Sequence, residues 1–124
     1  MKIVFKGDAR SKKNSKQAIL IRGKPRLIPS KQYQKWYREN VRELKGKLEK
    51  WEGDYPVEMR FYFYRSTRRK FDFGNMMEGI QDLLQDLGVI EDDSMNHVYP
   101  IPLGWAVDKE NPRTEVEIVP IQKL

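Results

Sequence analysis

The eight residues from Val57 to Tyr64, VEMRFYFY, alternate without a break: Val57, Met59, Phe61 and Phe63 fall on one side, and Glu58, Arg60, Tyr62 and Tyr64 on the other. A period of two puts successive side chains on opposite faces of a strand, and bulky, aromatic residues favour that pleated surface. This segment is expected to be a strand lying centrally in a sheet.

Two stretches carry the other period. From Ser30 onward, Tyr33, Trp36, Tyr37, Val41, Leu44 and Leu48 make one apolar-aromatic stripe, with Lys31, Lys35, Arg38, Arg42, Lys45 and Lys47 over much of the remainder. From Gly74 to Leu87, Met76, Met77, Ile80, Leu83, Leu84 and Leu87 recur at intervals of three and four, opposite Asn75, Glu78, Asp82 and Gln85. Both spacings predict amphipathic helices. Gly46 weakens the first near its end, and Gly88 is the expected stop of the second. The aromatic stripe reads as core in preference to a base-stacking platform, and Met76 and Met77 as core or dimer contact.

The remaining segments read as strands and turns. Lys2 to Lys6 is a short opening strand. Ala18 to Arg22 and Arg26 to Ile28 predict a hairpin around Gly23, Lys24 and Pro25. A short strand is expected near His97 to Tyr99, interrupted by Pro100 and Pro102, with another at Trp105 to Val107. The alternating Thr114 to Val119 closes the sheet. The fold class is therefore α+β: a small mixed β-sheet with two main amphipathic helices, and residues 1–124 as a single domain.

Composition narrows the chemistry. The chain has no Cys, which removes disulfides, thiolate zinc sites and thiol catalysis. No apolar run reaches the length of a membrane span and no signal-peptide pattern opens the chain, so a cytoplasmic protein is expected. Three Trp, six Tyr and five Phe supply buried area despite the high charge. A net charge of +6 favours a polyanionic partner such as nucleic acid.

Distribution of charge says more than its sum. The first fifty residues hold sixteen Lys and Arg against four Asp and Glu. Between Asp72 and Asn96 stand seven acidic residues (Asp72, Glu78, Asp82, Asp86, Glu91, Asp92 and Asp93) and no Lys or Arg. In the loop GDARSKKNSK, Lys12, Lys13 and Lys16 are either a solvated surface or phosphate contacts, with Asn14 and Ser15 as hydrogen-bond donors. A second basic loop, Arg65 to Lys70, leads straight to Asp72.

Asp72 precedes the second helix, and Asp92 and Asp93 follow it. A fourteen-residue helix spans roughly 21 Å, so these carboxylates meet only if the chain after Gly88 folds back toward the helix start. Together they would form an all-oxygen site of the kind that suits Mg²⁺ or Mn²⁺. Apart, Asp72 is a helix cap and Glu91–Asp93 a solvated turn. His97, the only histidine, reads either as a base or ligand or, as a lone His at a strand start more often is, as structural.

The pattern Asp72, Asn75, Asp82, Leu84, Gly88, Asp92, Asp93, with the basic run before it and the SKKNS loop, resembles the RusA family of Holliday junction resolvases, common in phages and prophages. The resemblance runs from the opening strand to TEVEIV. It implies an α+β fold, a homodimer, dependence on Mg²⁺ or Mn²⁺, and symmetric nicking of four-way DNA junctions in a bacterial or phage-infected cell. It also implies that Asp72 and Asp93 are metal-binding catalytic carboxylates, with Asp92 beside them, and that Asn75 orients the loop entering the helix. Arg68, Arg69 and Lys70, with Lys12, Lys13, Asn14 and Lys16, would contact DNA phosphates. The family pattern reads Asp, any residue, Asp, Asn, then Lys three residues on. Here Gly74 stands in place of the second Asp and Glu78 in place of the Lys, and the expectation is that Glu78 reaches back to replace the lost metal and catalytic carboxylate, Lys70 or Arg69 taking over from the Lys.

Two other readings compete with a resolvase. One is a non-catalytic nucleic-acid-binding module with a degenerate metal site, whose acidic segment contacts a protein; the other is a metal-dependent nuclease without junction preference.

Overall fold

The computed structural model describes the backbone of residues 1–10, 16–29, 31–94 and 96–121, with the side chains of all of these except 16–19 and 27–29. Six strands and two helices follow in the order β1 (Lys2–Lys6), β2 (Lys16–Ile21), β3 (Lys24–Pro29), α1 (Lys31–Leu44), β4 (Val57–Arg65), α2 (Phe73–Asp86), β5 (Val98–Val107) and β6 (Arg113–Pro120). Four strands form one sheet in the order β1-β6-β4-β5. The β1/β6 and β6/β4 pairs are antiparallel and β4/β5 is parallel, so the sheet is mixed and the fold is α+β.

The alternation in β4 decides which face is covered. Val57, Met59, Phe61 and Phe63 are buried, and the register sets beside them Val116 and Ile118 of β6, with Ile3 and Phe5 of β1 next in line. Tyr33 and Trp36 of α1 and Met77, Ile80, Leu83 and Leu84 of α2 join the same core. The other face carries ion pairs: Arg60 with Glu58 and Glu117, Lys2 with Glu115, and Arg113 with Glu115.

Three expectations are adjusted. Lys24 and Pro25 belong to β3, not to the hairpin tip; the turn is Arg22–Gly23, with φ of 53° and 76°. Two successive positive φ values match the right-handed twist of the strands they join. Helix α1 stops at Leu44, and Gly46, at φ 77°, follows it; Leu48 still packs against the core from beyond the helix. Pro100 and Pro102 do not split β5, which is one ten-residue strand on the sheet edge. Prolines two apart in a strand direct both missing donors to the same side, and an outer edge tolerates that. The extra residue, Leu103, is taken up by a register shift at Phe61/Tyr62. Strand β6 closes the sheet from within, between β1 and β4.

Candidate active site and nucleic-acid interface

Strand β4, helix α2 and strand β5 form a β-α-β crossover, and that topology positions every candidate carboxylate. Asp72 is the N-cap of α2: its backbone is extended, and its Oδ1 accepts from the Asn75 amide at 3.0 Å. The cap satisfies a donor that the first helical turn leaves unpaired and puts a negative group at the positive end of the helix dipole. Only one carboxylate oxygen is used by that bond. Asn75 thus shapes the loop at the start of the helix, but through its main chain.

An aromatic floor fixes the cap. Phe71 and Phe73, on either side of Asp72, meet each other at 4.7 Å between ring centroids and both pack on Phe63, at 5.5 and 5.6 Å. Phe71 also meets Trp105 of β5 edge-on at 5.9 Å. Over Phe71 lies the Arg65 guanidinium, 4.1 Å from the ring centroid, and its Nη1 donates to the Arg69 carbonyl at 2.6 Å. Burial pushes the Arg65 pKa down from its ordinary value; Asp8 opposes that and Arg10 adds to it. Arg68, Arg69 and Lys70 are exposed on the loop between Arg65 and Asp72. They therefore share an end of the sheet with Asp72.

The same end receives the N-terminal segment. Asp8 accepts from the Ser66 amide at 2.9 Å and from the Ser66 hydroxyl. A Cβ on Gly79 would stand 2.9 Å from the Arg10 carbonyl, so the absence of a side chain there lets the segment press against α2. Residues 11–15 continue from this point, and Lys12, Lys13 and Asn14 lie outside the described residues; of Lys16 only the backbone, paired with Pro29, is described.

Asp92 and Asp93 stand elsewhere. The chain leaves α2 at Gly88 (φ 76°), the Val89 carbonyl accepts from Trp51 at 2.8 Å, and the Glu91 amide donates to the Tyr55 hydroxyl at 3.2 Å. Asp92 Oδ1 accepts from the Asp93 amide at 2.8 Å, and the Ser94 carbonyl accepts from His97 and Val98 at the start of β5. These contacts tie the acidic turn to the opposite end of β4, where Val57 pairs with Val98. The chain does return toward the start of α2, but only along β5, after the two aspartates. Asp72 and Asp92–Asp93 are thus separated in one chain by the length of α2, about 21 Å. Glu78 lies about 9 Å along the helix from the cap, on the half-exposed side that also carries Asp82.

Among the described residues, no group of three or more His, Asp or Glu side chains is close enough to hold a metal ion. The donors are all oxygens, which suits a hard divalent cation, but one chain does not assemble them. His97 stands among local partners: its ring packs on Tyr55 at 4.8 Å, Nδ1 lies 3.0 Å from the Ser94 hydroxyl, and Nε2 lies 3.7 Å from Glu91.

A sequence model described as Endodeoxyribonuclease RusA matches residues 4–119. The chain belongs to the RusA family. It is thus an endodeoxyribonuclease of the Holliday junction resolvase type, a hydrolase acting on DNA phosphodiester bonds. No curated protein matches it. No helix among its described residues is long and apolar enough to cross a membrane.

Asp8 and Arg10 were not singled out by the sequence for this RusA-family site, and Arg65 was read only as the start of the basic loop, not as a cation stacked on Phe71. A signal was present for Asp8, which is the only acidic residue before Glu39. A lone carboxylate in a basic segment has a structural partner more often than it has none, and here the partner is Ser66.

Proposed function

We propose that the protein is a divalent-metal-dependent resolvase that cuts four-way DNA junctions by paired symmetric incisions, acting as a homodimer in the cytoplasm of a bacterial or phage-infected cell. Asp72 and Asp93, with Asp92 beside them, are the Mg²⁺ or Mn²⁺ ligands, and each site takes Asp72 from one protomer and Asp93 and Asp92 from the other. The observation that carries this reading is the separation of about 21 Å along α2 between two carboxylate groups that the family's chemistry needs together. A bound divalent ion lowers the pKa of a water and neutralises charge on the scissile phosphate.

The chain's own residues supply binding and orientation. Arg68, Arg69 and Lys70, with Lys12, Lys13, Asn14 and Lys16, contact phosphates, while the exposed carboxylate of Asp72 repels DNA until its charge is offset. Asn75 holds the Asp72 carboxylate through the cap. A symmetric pair of sites suits a two-fold symmetric junction.

Strand β5 offers a surface for the second protomer. It is an edge strand, and Tyr99, Leu103, Trp105 and Val107 on it are exposed. Antiparallel packing of two such edges about a two-fold axis would set the Val107 end of one strand near the Val98 end of the other, and with them Asp72 near the partner's Asp93. Pro100 and Pro102 lack N–H groups, so this contact rests on side chains more than on a continuous ladder.

The test is complementation. Asp72→Asn and Asp93→Asn chains are each expected to leave junctions uncut, while a mixture refolded together regains single-site nicking, because one site of the heterodimer holds both wild-type carboxylates. If the mixture stays inactive although heterodimers form, the shared site is wrong. Cutting by the wild type in excess chelator would refute the metal requirement.

A further inference from the structure

Five cations, Lys31, Lys35, Arg38, Arg42 and Lys45, follow one another at intervals of four, three, four and three. At 3.6 residues per turn that spacing stacks them in one ridge, on the side of α1 opposite the buried Tyr33, Trp36 and Asn40. All five are exposed. The Lys45 amide still donates to the Val41 carbonyl at 2.8 Å, so the ridge continues one residue past the helix end. The carboxylates of the helix stand on one flank, where Glu43 meets Lys6 at 3.2 Å and Glu39 is 3.9 Å from Lys35. Among the described residues, no carboxylate pairs with Lys31, Arg38, Arg42 or Lys45.

Such a ridge works against the helix that carries it. Like charges three and four positions apart repel, and Lys31, at the head of a first turn without an acid, opposes the helix dipole. A face that served solubility alone would gain from mixing its signs. We infer that the ridge holds the phosphate backbone of a DNA arm, outside the site at Asp72. What the ridge lacks identifies the occupant. No large apolar side chain of α1 is exposed, whereas a protein interface is anchored by aromatic side chains in pockets and a membrane-surface helix by an apolar face. Regularly spaced cations without such anchors fit a polyanion read through its phosphates.

The position of α1 sets which phosphates those are. Asn40 ties the helix to Lys6 of β1, the sheet edge away from β5. Tyr33 and Tyr37 turn toward α2: Tyr33 would be 3.9 Å from a Cβ on Gly79, and Tyr37 bonds to Asp86. Gly79 is about 10 Å along α2 from Asp72, and the ridge faces away by a further helix width of about 10–12 Å. Phosphates on the ridge therefore belong to duplex beyond the cut. From Lys31 to Arg42 the ridge runs about 16 Å, the rise of roughly five base pairs. The inference rests on the family's DNA substrate and on nothing about metal or the dimer contact, so it is tested without metal.

Binding of a four-way junction by the full-length protein in chelator is measured across a salt titration. The ridge variant combines Lys31→Gln, Arg38→Gln and Arg42→Gln, which removes every like-charge neighbour along the ridge. A control combines Lys2→Gln and Arg60→Gln, on the open sheet face, with Lys50→Gln, beside Glu91, and removes the same charge. Each phosphate contact contributes about 0.9 to the slope of log K against log salt. The ridge variant is expected to lower the slope by about 2–3, and the control by less than about 1. A linear duplex of one arm's sequence should lose the same slope, because these cations read backbone and not branching. A ridge variant with the control's slope, or one that loses slope on the junction but not on the duplex, would overturn the proposal.

Thermal melting of the same variant shows that weaker binding is not unfolding. Relieved of repulsion, it is expected to melt about 2–6 °C above the wild type at low salt, and the gap should close near 1 M salt, where the charges are screened. A variant that melts higher and binds DNA less marks a surface kept for its partner at the expense of stability. One that melts lower shows that the cations brace the helix, and refutes the proposal.

Discussion

Asp8 grips Ser66 twice, accepting from its amide at 2.9 Å and from its hydroxyl, and so joins the segment after β1 to the loop after β4 across 58 positions of sequence. That loop delivers Arg68, Arg69 and Lys70 to Asp72. Asp8→Ala is therefore expected to destabilise the protein by about 1.5–3 kcal/mol, the range for hydrogen bonds to a charged group, and to speed amide exchange at Ser66 and the loop that follows. Denaturant midpoints and hydrogen exchange check both. Unchanged exchange at Ser66 would show that the aromatic floor beneath Phe71 holds the loop alone.

Asn40 does comparable work between helix and sheet. It is buried, its Oδ1 accepts from the Lys6 amide at 2.9 Å, and its Nδ2 donates to the carbonyls of Lys6 at 3.1 Å and Trp36 at 2.9 Å. Asn40→Leu should cost about 2–4 kcal/mol, because the Lys6 amide and carbonyl are left without partners and a branched side chain must fit the amide's space. Urea unfolding of the variant measures it; a loss below 1 kcal/mol would mean that water replaces the amide.

Two tyrosines give the protein a high-pH signature. Burial pushes Tyr33 up to about 12, with Asp82 and Asp86 adding to it. Burial, and then the hydrogen bond from its hydroxyl to Asp86 at 2.6 Å, pushes Tyr37 up to about 12 as well. A folded pKa above the unfolded value means that the stabilisation is whole below pH 10 and is lost as pH rises toward 12. In a spectrophotometric titration, two of the six tyrosines should ionise late. Asp86→Asn should bring Tyr37 back toward 10 and leave Tyr33 less affected.

The periodic elements were legible in the sequence because burial on one face imposes its period on the residues. Val57–Arg65 and Phe73–Asp86 follow directly from that. Strand β5 was read as two pieces because Pro100 and Pro102 break strands in a sheet interior; their spacing of two was the clue to an edge. Asn40 was invisible, since a polar residue on the stripe side of α1 shows its three hydrogen bonds only once β1 is beside it. The acidic stretch misleads more deeply: Asp72 and Asp93 are 21 positions apart in sequence, and the helix between them keeps them apart in space. Recognising the family singled out these carboxylates as candidates, while their distribution over a crossover was set by the parallel pairing of β4 and β5, which no local pattern encodes.

If β5 joins two protomers, a charge at its centre should part them. Leu103 is 58% exposed, so Leu103→Arg costs little within one chain. The variant is expected to sediment as a monomer at concentrations where the wild type is a dimer, to keep its thermal midpoint within a few degrees, and to lose junction cutting. A dimeric Leu103→Arg protein would move the interface elsewhere.

Gly74 poses the sharpest question about the site. A Cβ there would stand 3.2 Å from Asp72 Oδ1, close enough that the capping carboxylate must yield by a few tenths of an ångström. Gly74→Asp would thus put a second carboxylate against the first, in the arrangement the family pattern uses. Without metal, better helix propensity and a favourable helix-dipole contact of about 0.3–1 kcal/mol oppose the crowding and repulsion, so stability should change by less than about 1 kcal/mol. With Mn²⁺ the two oxygens share an ion, and the metal-induced rise in thermal midpoint should exceed that of the wild type. Glu78 supplies the contrast: if it already replaces the lost ligand, Gly74→Asp adds nothing to the metal-induced rise and Glu78→Ala abolishes it. Because Glu78 stands about 9 Å along the helix from the cap, the expected result is a gain from Gly74→Asp and an undiminished metal response in Glu78→Ala.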